Sequence, residues 1–570
     1  MGRSKRFAFA LGCLFLVMGI GTLVMVVGVR MAAQHLPQNA MLHIEIFGDI
    51  PEGGSESPFS ELLGSKLASR RDLRDALIKA KNDKRIKAIR LKIHDCSASM
   101  ATVQEVREQL QAVATAGKAT YAYLPTAGEA SSGNMPYFLA TGCQKVVLGL
   151  LGDLMLLGLR VEVPFIRGTL DKLGIEPDFP GIGDYKTARN FFIEKGFTPT
   201  HREMTAWLLD SLARQMAQGI ASSRKLSLTR VQELMAQGPF SAEEALSHQL
   251  VDEVKDWSSF AKETSESPQG KLEVVSLRRY LRAGRPDREG APIAVVVADG
   301  GIARGESGYS PMPIFGGNMV GSETMARAFA RIRESDAKAV IFRINSPGGS
   351  AVASEIIRLE MAETAKKIPV VVSMGDVAAS GGYWITCGAQ RVLADPGTIT
   401  ASIGVFAGHL AMAKFWEDKL GVTWGEVATS PNADTFASLH PWTAEQKRMV
   451  QQWLDRIYDA FLERVSAARK LSREQVDAMG RGRVFTGEQA LERRLIDRLG
   501  GFDAALEEAK VLAGLKPDEP VELRFYPRPR PFVEQLLSRF GDDKARDLGE
   551  LVRAKVAVLG PVWLPPIRIR

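Results

Sequence analysis

The chain has few of the side chains that hold metal ions or form disulfide bridges. Its 570 residues include four cysteines and seven histidines. The cysteines form no Cys-x-x-Cys pair, and the histidines form no His-Glu-x-x-His or comparable cluster. These absences argue against a zinc site and against a disulfide framework, so we expect no metal ion and no other cofactor. The four cysteines are Cys13, Cys96, Cys143 and Cys387.

The chain also lacks a basic segment with interleaved aromatic residues. Its formal net charge is +7 and its pI is about 9.1, values that would suit a nucleic-acid-binding protein. The positive charge is spread along the whole sequence, however, so we expect no nucleic acid partner. A nearby surface of anionic lipid is a simpler reason for a basic balance.

A long apolar run is present near the N-terminus. Phe7–Val29 contains no charged residue and would form a helix of about 34 Å, enough to cross a bilayer. Arg3, Lys5 and Arg6 precede the run, which predicts a cytoplasmic N-terminus and a body on the outer side. We expect residues 1–30 to form a retained transmembrane anchor, because the run is longer than a usual signal-peptide core. A cleaved signal peptide stays an alternative, and it too implies an exported body.

From about residue 40, strand patterns alternate with helix patterns. Strand patterns such as Ile86–Ile93 and Ala119–Leu124 flank amphipathic stretches such as Val103–Ala114. This alternation predicts an α/β fold with largely parallel, covered sheets. The same plan starts again at Ile293–Ala298. The polar segment between the two, 258–290, is interpreted as a connector.

Short motifs recur in the two halves in the same order. Asp171-Lys-Leu-Gly174 recurs as Asp418-Lys-Leu-Gly421, Arg224-Lys-Leu-Ser227 as Arg469-Lys-Leu-Ser472, and Leu250-Val-Asp252 as Leu495-Ile-Asp497. Their separation, about 245–250 residues, is too long for a solenoid repeat and fits two tandem domains. We place these domains at 40–257 and 291–515, with 516–570 as a C-terminal tail.

The segment Asp376-Val-Ala-Ala-Ser-Gly-Gly-Tyr383 has the composition of a sharp strand-to-helix turn. It follows the apolar run Pro369–Ser373 and precedes a helical pattern. Small residues and glycines allow a tight turn that exposes the hydroxyl group of Ser380. The N–H of Gly381, at the start of the helix, is free to bind a developing oxyanion. The alternative is an ordinary turn in which Ser380 caps the helix.

A second glycine-rich segment, Ser346-Pro-Gly-Gly-Ser350, also lies between a strand and a helix. Gly348 and Gly349 are placed to offer a backbone N–H to a carbonyl oxygen. A single Pro-Gly-Gly is a common turn, but one that lies about thirty residues before Ala-Ser-Gly-Gly is more specific. In the first half, Asp95-Cys-Ser-Ala98 stands in its place.

The duplication divides the candidate residues between the halves. In the alignment Ser380 falls on Asn134, so the first half lacks this serine. The first half contains Gly183-Asp-Tyr-Lys186, whereas Ala433 stands in the place of the lysine in the second half. We therefore predict one site built from both halves, with Ser380 from the second and Lys186 from the first.

Taken together, these motifs resemble the long form of the signal peptide peptidase A family. Ala-Ser-Gly-Gly-Tyr, Asn-Ser-Pro-Gly-Gly-Ser, Gly-Asp-Tyr-Lys, the apolar N-terminal run and the duplication carry the resemblance over about residues 7–515. It implies two tandem ClpP/crotonase-like spiral β–α domains and a serine peptidase with a Ser–Lys dyad. Ser380 would be the nucleophile, Lys186 the general base, and Ser402 the serine that orients the lysine.

The chemistry of such a dyad depends on burial of the lysine. A lysine that is removed from water has a lowered pKa and can accept a proton at neutral pH. Lys186 would then activate Ser380, and the N–H groups of Gly381 and of Gly348 or Gly349 would hold the oxyanion. Two questions stay open: which lysine is the base, and whether Ser402 has a catalytic role. Lys195 is the nearest substitute for Lys186, and Ser402 fits an ordinary buried hydroxyl equally well.

Three rival hypotheses are less well supported. A Ser–His–Asp triad of the ClpP type would need a histidine near Ile403; His409 lies several residues later, and His94 and His248 lie in the first half. An acyl-CoA hydratase or isomerase would need placed carboxylates and a cytosolic body. A non-catalytic scaffold would be indicated by loss of the serine or the lysine, and both are present.

The resemblance also implies partners and a location. Family members digest remnant signal peptides and other hydrophobic peptides, and the long form assembles as a homotetramer. We therefore expect hydrophobic peptide substrates, contact with a lipid bilayer and a tetramer of this chain. The expected location is the bacterial inner membrane, with a single span and a periplasmic catalytic body.

Overall fold

The structure is a computed structural model that describes residues 36–53, 67–129, 131–267, 270–310 and 316–527. The predicted transmembrane run, Phe7–Val29, and the part of the predicted tail after residue 527 lie outside these residues. Within the ranges described, no helix is long and apolar enough to cross a membrane.

The first half is an alternating α/β unit. Its strands are β1 (Ala40–Ile46), β2 (Ile86–Ile93), β3 (Ala119–Leu124), β4 (Lys145–Leu148), β5 (Glu176–Asp178), β6 (Gly181–Ile182), β7 (Glu253–Val254), β8 (Glu266–Ser267), β9 (Gly270–Lys271) and β10 (Glu273–Ser276). Its helices are α1 (Arg70–Asn82), α2 (Met100–Thr115), α3 (Asn134–Ala140), α4 (Arg167–Leu173), α5 (Asn190–Ile193), α6 (Pro199–Arg224), α7 (Leu228–Gln237), α8 (Ala242–Ser247), α9 (Trp257–Thr264) and α10 (Leu277–Arg282), with a 3-10 turn at Thr187–Arg189.

The second half repeats this plan. Its strands are β11 (Ala291–Asp299), β12 (Gly301–Ala303), β13 (Gly308–Ser310), β14 (Gly317–Gly321), β15 (Ala339–Ser346), β16 (Val370–Ala379), β17 (Arg391–Ala394), β18 (Ile399–Ala401), β19 (Val405–Phe406), β20 (His409–Ala411), β21 (Val484–Thr486), β22 (Arg498–Leu499) and β23 (Val521–Tyr526). Its helices are α11 (Ser322–Arg333), α12 (Ala351–Ala365), α13 (Gly381–Trp384), α14 (Ala413–Leu420), α15 (Ala444–Arg469), α16 (Arg473–Met479), α17 (Gly487–Glu492) and α18 (Phe502–Leu512).

Each half is built on its own largely parallel sheet, which confirms the predicted α/β class. The first sheet has the order β10-β1-β2-β3-β4-β7 with parallel neighbours throughout. The second has the order β21-β18-β16-β15-β11-β23, with β17 beside β16, and its strands are parallel except for the β18–β21 pair. Such strands are nearly continuous apolar runs because helices cover both faces of the sheet. In β15, for example, Ala339–Ile344 is buried throughout.

Four short strands lie outside the predicted domain ranges of 40–257 and 291–515: β8 and β9, which pair with each other, and β10 and β23. β10 belongs to the segment interpreted as a connector, and it pairs with β1 at the edge of the first sheet. β23 belongs to the predicted tail, and it pairs with β11 in the equivalent place in the second sheet. β10 is short and mostly exposed, so the sequence carries little apolar periodicity to reveal it. β23 is half-buried, and its alternation of Val521, Leu523 and Phe525 with charged residues is a strand signal that the prediction of a tail overlooked.

The halves are joined by an extension of the first half, which we call the lysine arm (residues 166–198). Its strands β5 and β6 pair with β20 and β19 of the second half in antiparallel fashion. Phe179 of the arm stacks on Phe192, with ring centroids 4.4 Å apart, and both pack in a cluster with Phe406. Strand pairing and aromatic packing together fix the arm on the second half.

Candidate active site

Ser380 lies at the tight turn between β16 and α13. Its backbone has φ 53° and ψ −119°, a left-handed conformation that is costly for a residue with a side chain. The Ser380 N–H donates to the carbonyl of Ala401 at 2.7 Å, which helps to hold the turn. A glycine is required two residues later, because a Cβ on Gly382 would lie 2.4 Å from the carbonyl oxygen of Ser346. This is the sharp turn that the Ala-Ser-Gly-Gly pattern predicts.

The lysine arm brings Lys186 to this serine within a single chain. The Nζ of Lys186 lies 3.0 Å from the Oγ of Ser380, 2.9 Å from the Oγ of Ser402 and 3.1 Å from the Ser402 carbonyl oxygen. The lysine is only 5% exposed. Gly482 of the second half lies against its backbone, where a Cβ would stand 2.4 Å from the Lys186 Cα. The structure thus places the two predicted partners within hydrogen-bond distance.

Burial also changes the acid–base behaviour of this lysine. Removal from water lowers the pKa of Lys186 from its ordinary value of 10.5 to about 7. No carboxylate among the described residues offsets this effect. A substantial fraction of the amine is therefore neutral near pH 7 and able to accept a proton from a hydroxyl group.

Ser402 is held in a fixed place beside the lysine. Both Ala401 and Ser402 have positive φ values, 68° and 53°, and the Ser402 N–H donates to the carbonyl of Arg483 at 2.9 Å. With its hydroxyl and carbonyl oxygens both facing the Lys186 amine, Ser402 limits the directions in which that amine can point. Its role as the orienting residue stays a prediction.

The glycine-rich loop after β15 lies against the serine turn. The Gly348 N–H donates to the Oγ of Ser346 at 3.2 Å, so it is already engaged. The N–H groups of Gly349 and Gly381 make no hydrogen bond within the described part of the chain. The Gly349 nitrogen lies 3.0 Å from the position that a Cβ on Gly381 would take, so the two groups are close together. Gly349 therefore fits an oxyanion donor better than Gly348.

Comparison with known proteins identifies the family. The model of "Peptidase family S49" matches residues 115–269 and again residues 362–516. The chain belongs to peptidase family S49. This is a family of serine proteases, so the chain is a serine peptidase, and the two matched segments confirm the tandem duplication.

Full-length relatives support the same assignment. "Protease 4" of Salmonella typhi is 32% identical over 78% of this chain and 72% of its own length. "Serine protease SPPA, chloroplastic" of Arabidopsis thaliana is 28% identical over 82% of this chain and 69% of its own length. A solved structure of a ClpP1 mutant from Listeria monocytogenes is 14% identical and covers 37% of this chain and 94% of its own, with a TM-score of 0.24. At that TM-score the structural likeness carries no weight for the function.

The alternative bases of this S49 peptidase lie elsewhere. Lys195 is 69% exposed and pairs with Asp171 at 2.8 Å on the surface. The ring of His409 packs on Trp442, and its Nε2 lies 3.0 Å from the carbonyl oxygen of His440. Neither side chain contacts Ser380. The other two candidate histidines pack against aromatic rings in the first half: His94 stacks on Phe47, and His248 packs on Phe240.

The first half has a counterpart of the serine turn without a hydroxyl group. The Gly133 N–H donates to the carbonyl of Met155 at 2.9 Å, as the Ser380 N–H does to Ala401. By this hydrogen bond Gly133 stands in the place of Ser380, whereas the matched residues Tyr137 and Tyr383, whose hydroxyl groups both donate to a leucine carbonyl, place Asn134 there, as in the sequence alignment. Asn134 instead donates its side-chain amide to the carbonyl of Gly158 at 2.5 Å.

The sequence analysis missed the loop that receives the lysine arm. The Tyr185 N–H donates to the carbonyl of Arg481 at 3.1 Å, and the Gly482 N–H donates to the carbonyl of Ile403 at 2.7 Å. The signal that could have revealed this loop is Gly480-Arg-Gly-Arg483, with two glycines directly before the short strand β21.

Proposed function

We propose that this S49 peptidase cleaves peptide bonds with Ser380 as nucleophile and Lys186 as general base. The observation that carries the proposal is the 3.0 Å contact between the Lys186 Nζ and the Ser380 Oγ, made by a buried lysine with a pKa of about 7. The nucleophile needs a base within hydrogen-bond reach, and this is the group that lies there.

The reaction follows from these positions. As the Oγ of Ser380 attacks the substrate carbonyl carbon, its proton passes to the neutral amine of Lys186. The N–H groups of Gly349 and Gly381 hold the oxyanion of the tetrahedral intermediate. The Lys186 ammonium then returns the proton to the leaving amine, and a water molecule hydrolyses the acyl-enzyme by the same route in reverse. Ser402 keeps the amine directed at the serine.

The test is hydrolysis of a fluorogenic apolar peptide by the full chain in detergent. We expect Ser380→Ala and Lys186→Ala each to lower kcat/KM by at least about 10³-fold. Lys195→Ala is the matched control, because it removes an exposed lysine from the same arm, and it should stay within twofold of wild type. If Lys186→Ala keeps its activity while Ser380→Ala loses it, another base acts and the dyad is wrong.

We also propose that the substrates are remnant signal peptides and other hydrophobic peptides at the outer face of the bacterial inner membrane. The support is the charge-free run Phe7–Val29 with its basic flank, together with the resemblance to signal peptide peptidase A. An anchored peptidase meets peptides that are already in or near the bilayer. Apolar peptides should therefore be cleaved at least about tenfold faster than charged peptides of equal length, and equal rates would refute this preference.

We further propose that copies of this chain assemble head to tail, with the second half of one copy on the first half of the next. The expected number of copies, four, comes from the family resemblance. Within the chain, α2 of the first half packs on the second, where the Gly397 N–H donates to the Gln104 Oε1 at 2.7 Å and the Phe502 N–H donates to the Glu105 Oε1 at 3.1 Å. The equivalent helix of the second half, α12, has exposed apolar side chains. These are Val352, Ile356 and Leu359.

The second half has a surface on which α2 packs. The equivalent surface of the first half is open. Its cavity of about 540 Å³ is lined by Leu150, Leu151, Asp256 and Trp257, among others, and Leu151 is 99% exposed. α12 of another copy has the apolar residues to fill it. When each copy contacts the next through the same two unlike surfaces, the copies form a closed ring if the rotation between neighbouring copies permits it.

The counterpart of the lysine arm supports the same contact. This counterpart arm (residues 413–443) pairs with no strand among the described residues, and several of its apolar side chains are exposed, including Trp424, Val427 and Phe436. We expect wild type to have the mass of about four chains in light scattering. Leu151→Asp and Trp424→Asp should each lower that mass, whereas Val511→Asp, a change at another exposed apolar residue, should not. A monomeric wild type would refute the assembly.

A further inference from the structure

Asp376 belongs to the motif that precedes Ser380, yet the dyad does not use it. It lies in β16, where the pairing with β15 shifts register between Ile344 and Ser346. Two further contacts hold this irregular stretch: the Val377 N–H donates to the Asn345 Oδ1 at 3.2 Å, and the Thr398 hydroxyl donates to the Gly375 carbonyl at 2.7 Å. The irregular stretch ends directly at the serine turn.

Among the described residues, the hydrogen bonds to the Asp376 carboxylate come from the other half of the molecule. Its Oδ1 accepts a hydrogen bond from the Thr102 hydroxyl at 2.7 Å, and it also accepts from the Ser99 hydroxyl and the Arg70 guanidinium. Ser99 is the N-cap of α2 and Arg70 is the first residue of α1. Three donors from two helix starts therefore converge on one carboxylate oxygen.

Arg70 ties this contact to a buried network between the halves. Its guanidinium lies 3.1 Å from Glu52 and 3.4 Å from Glu105. Arg343, on the neighbouring strand β15, binds the same two carboxylates at 2.7 Å and 2.9 Å. Each charge in this network is buried and has partners in the network. The network therefore allows few alternative arrangements, because a buried charge without a partner would destabilise the folded state.

We propose that Asp376 is a positioning residue that holds the Ser380 turn against the half that supplies Lys186; this rests on the proposed function. The strained backbone of Ser380 persists only where its surroundings fix it. Asp376 lies on the same strand and is tied to the first half, whose lysine arm reaches the serine from the other side. Loss of the carboxylate frees the strand, and the Nζ–Oγ contact loosens.

A second ion pair between the halves provides the matched control. Arg74 donates to Asp503 at 2.7 Å, and the Asp503 side chain is 36% exposed against 25% for Asp376. Asp503 lies on α18, far along the chain from the serine turn. Asp376→Asn and Asp503→Asn therefore each weaken a comparable contact between the halves, but only Asp376 is itself a residue of β16, the strand that ends at the serine turn.

The experiment measures kcat, KM and Tm for both variants on an apolar peptide, with Ser380→Ala alongside. We expect Asp376→Asn to lower kcat by about 20- to 100-fold with KM within threefold, while Asp503→Asn stays within twofold in kcat. Asp376→Glu, which keeps the charge, should recover at least part of the lost kcat. Equal kcat values for the two asparagine variants would overturn the positioning role. An active Ser380→Ala would instead show that the proposed dyad itself is wrong.

Discussion

The two halves of this chain share one architecture, but only together do they complete the site. In the second half the turn after the central strand carries Ser380 and is lined by glycines, whereas Gly133 and Asn134 occupy that turn in the first half. The first half instead carries Lys186 on an arm docked on its neighbour, and the counterpart arm carries an exposed Ala433. Under the proposed mechanism each half supplies a different catalytic residue, so neither half would be active by itself.

The largest effect should come from moving the lysine between the arms. Lys186→Ala should lower kcat/KM by at least about 10³-fold, since no other base lies beside the serine in the part of the chain that the structure describes. Adding Ala433→Lys should not restore the rate, because position 433 is exposed on the counterpart arm. Peptide hydrolysis by the single and double variants checks both statements. A rescued double variant would mean that the arms are interchangeable.

The next effect concerns the glycine-rich loop. Gly348 has φ 106°, and a Cβ there would lie 2.7 Å from the Gly381 nitrogen. Replacing it with the residue of the first half, Gly348→Ser, should therefore lower kcat by at least about 100-fold. The reverse change in the first half, Ser97→Gly, should leave kcat within twofold. Equal losses in the two variants would show a general folding defect.

A third effect concerns pH. The active form of Lys186 is neutral, and its pKa is about 7. Below pH 7, kcat/KM should therefore fall about tenfold per pH unit, and above it the rate should level off. Ser402→Ala should alter this midpoint, because it removes an oxygen 2.9 Å from the amine, whereas Lys195→Ala should not. A flat profile from pH 5 to 8 would contradict the lysine base.

The smallest effect concerns stability. Below pH 7 the folded and unfolded chains both carry the Lys186 proton, and burial of that charge costs up to roughly 5 kcal/mol for a pKa lowered from 10.5 to about 7. Between pH 7 and 10.5 only the unfolded chain stays protonated, so stability from this group rises with pH.

Lys186→Met should therefore raise Tm by a few degrees at pH 6, and the gain should shrink toward pH 10. Lys195→Met, which removes only a surface pair, should change Tm very little. Thermal unfolding at several pH values provides the measurement. A gain that does not depend on pH would point to packing instead of charge.

Much of this comparison could be predicted from the sequence, because it depends on local patterns. Buried strands such as Ile293–Ala298 are plain apolar runs, and the serine turn needs its glycines, so both are visible in the residues themselves. The duplication then indicates that Ser380 and Lys186 complement each other. The roles of these residues stay predictions until the variants are measured.

Other features depend on contacts between distant segments and leave little local signal. β10 is a short, mostly exposed edge strand, and β5 and β6 form only because β19 and β20 lie opposite them. Asp376 is part of a recognisable motif, but its donors come from Arg70, Ser99 and Thr102, far away in the chain. Single-sequence periodicity cannot report such pairings.

The division of the dyad between the halves also sets an order of events during synthesis. A ribosome completes the lysine arm well before it reaches Ser380, and the arm has no partner strands until residues 405–411 follow. The amine is buried, and its pKa lowered, only when the second half has folded around it. Under the proposed mechanism, the growing chain therefore holds no assembled nucleophile–base pair until the second half has folded onto the lysine arm.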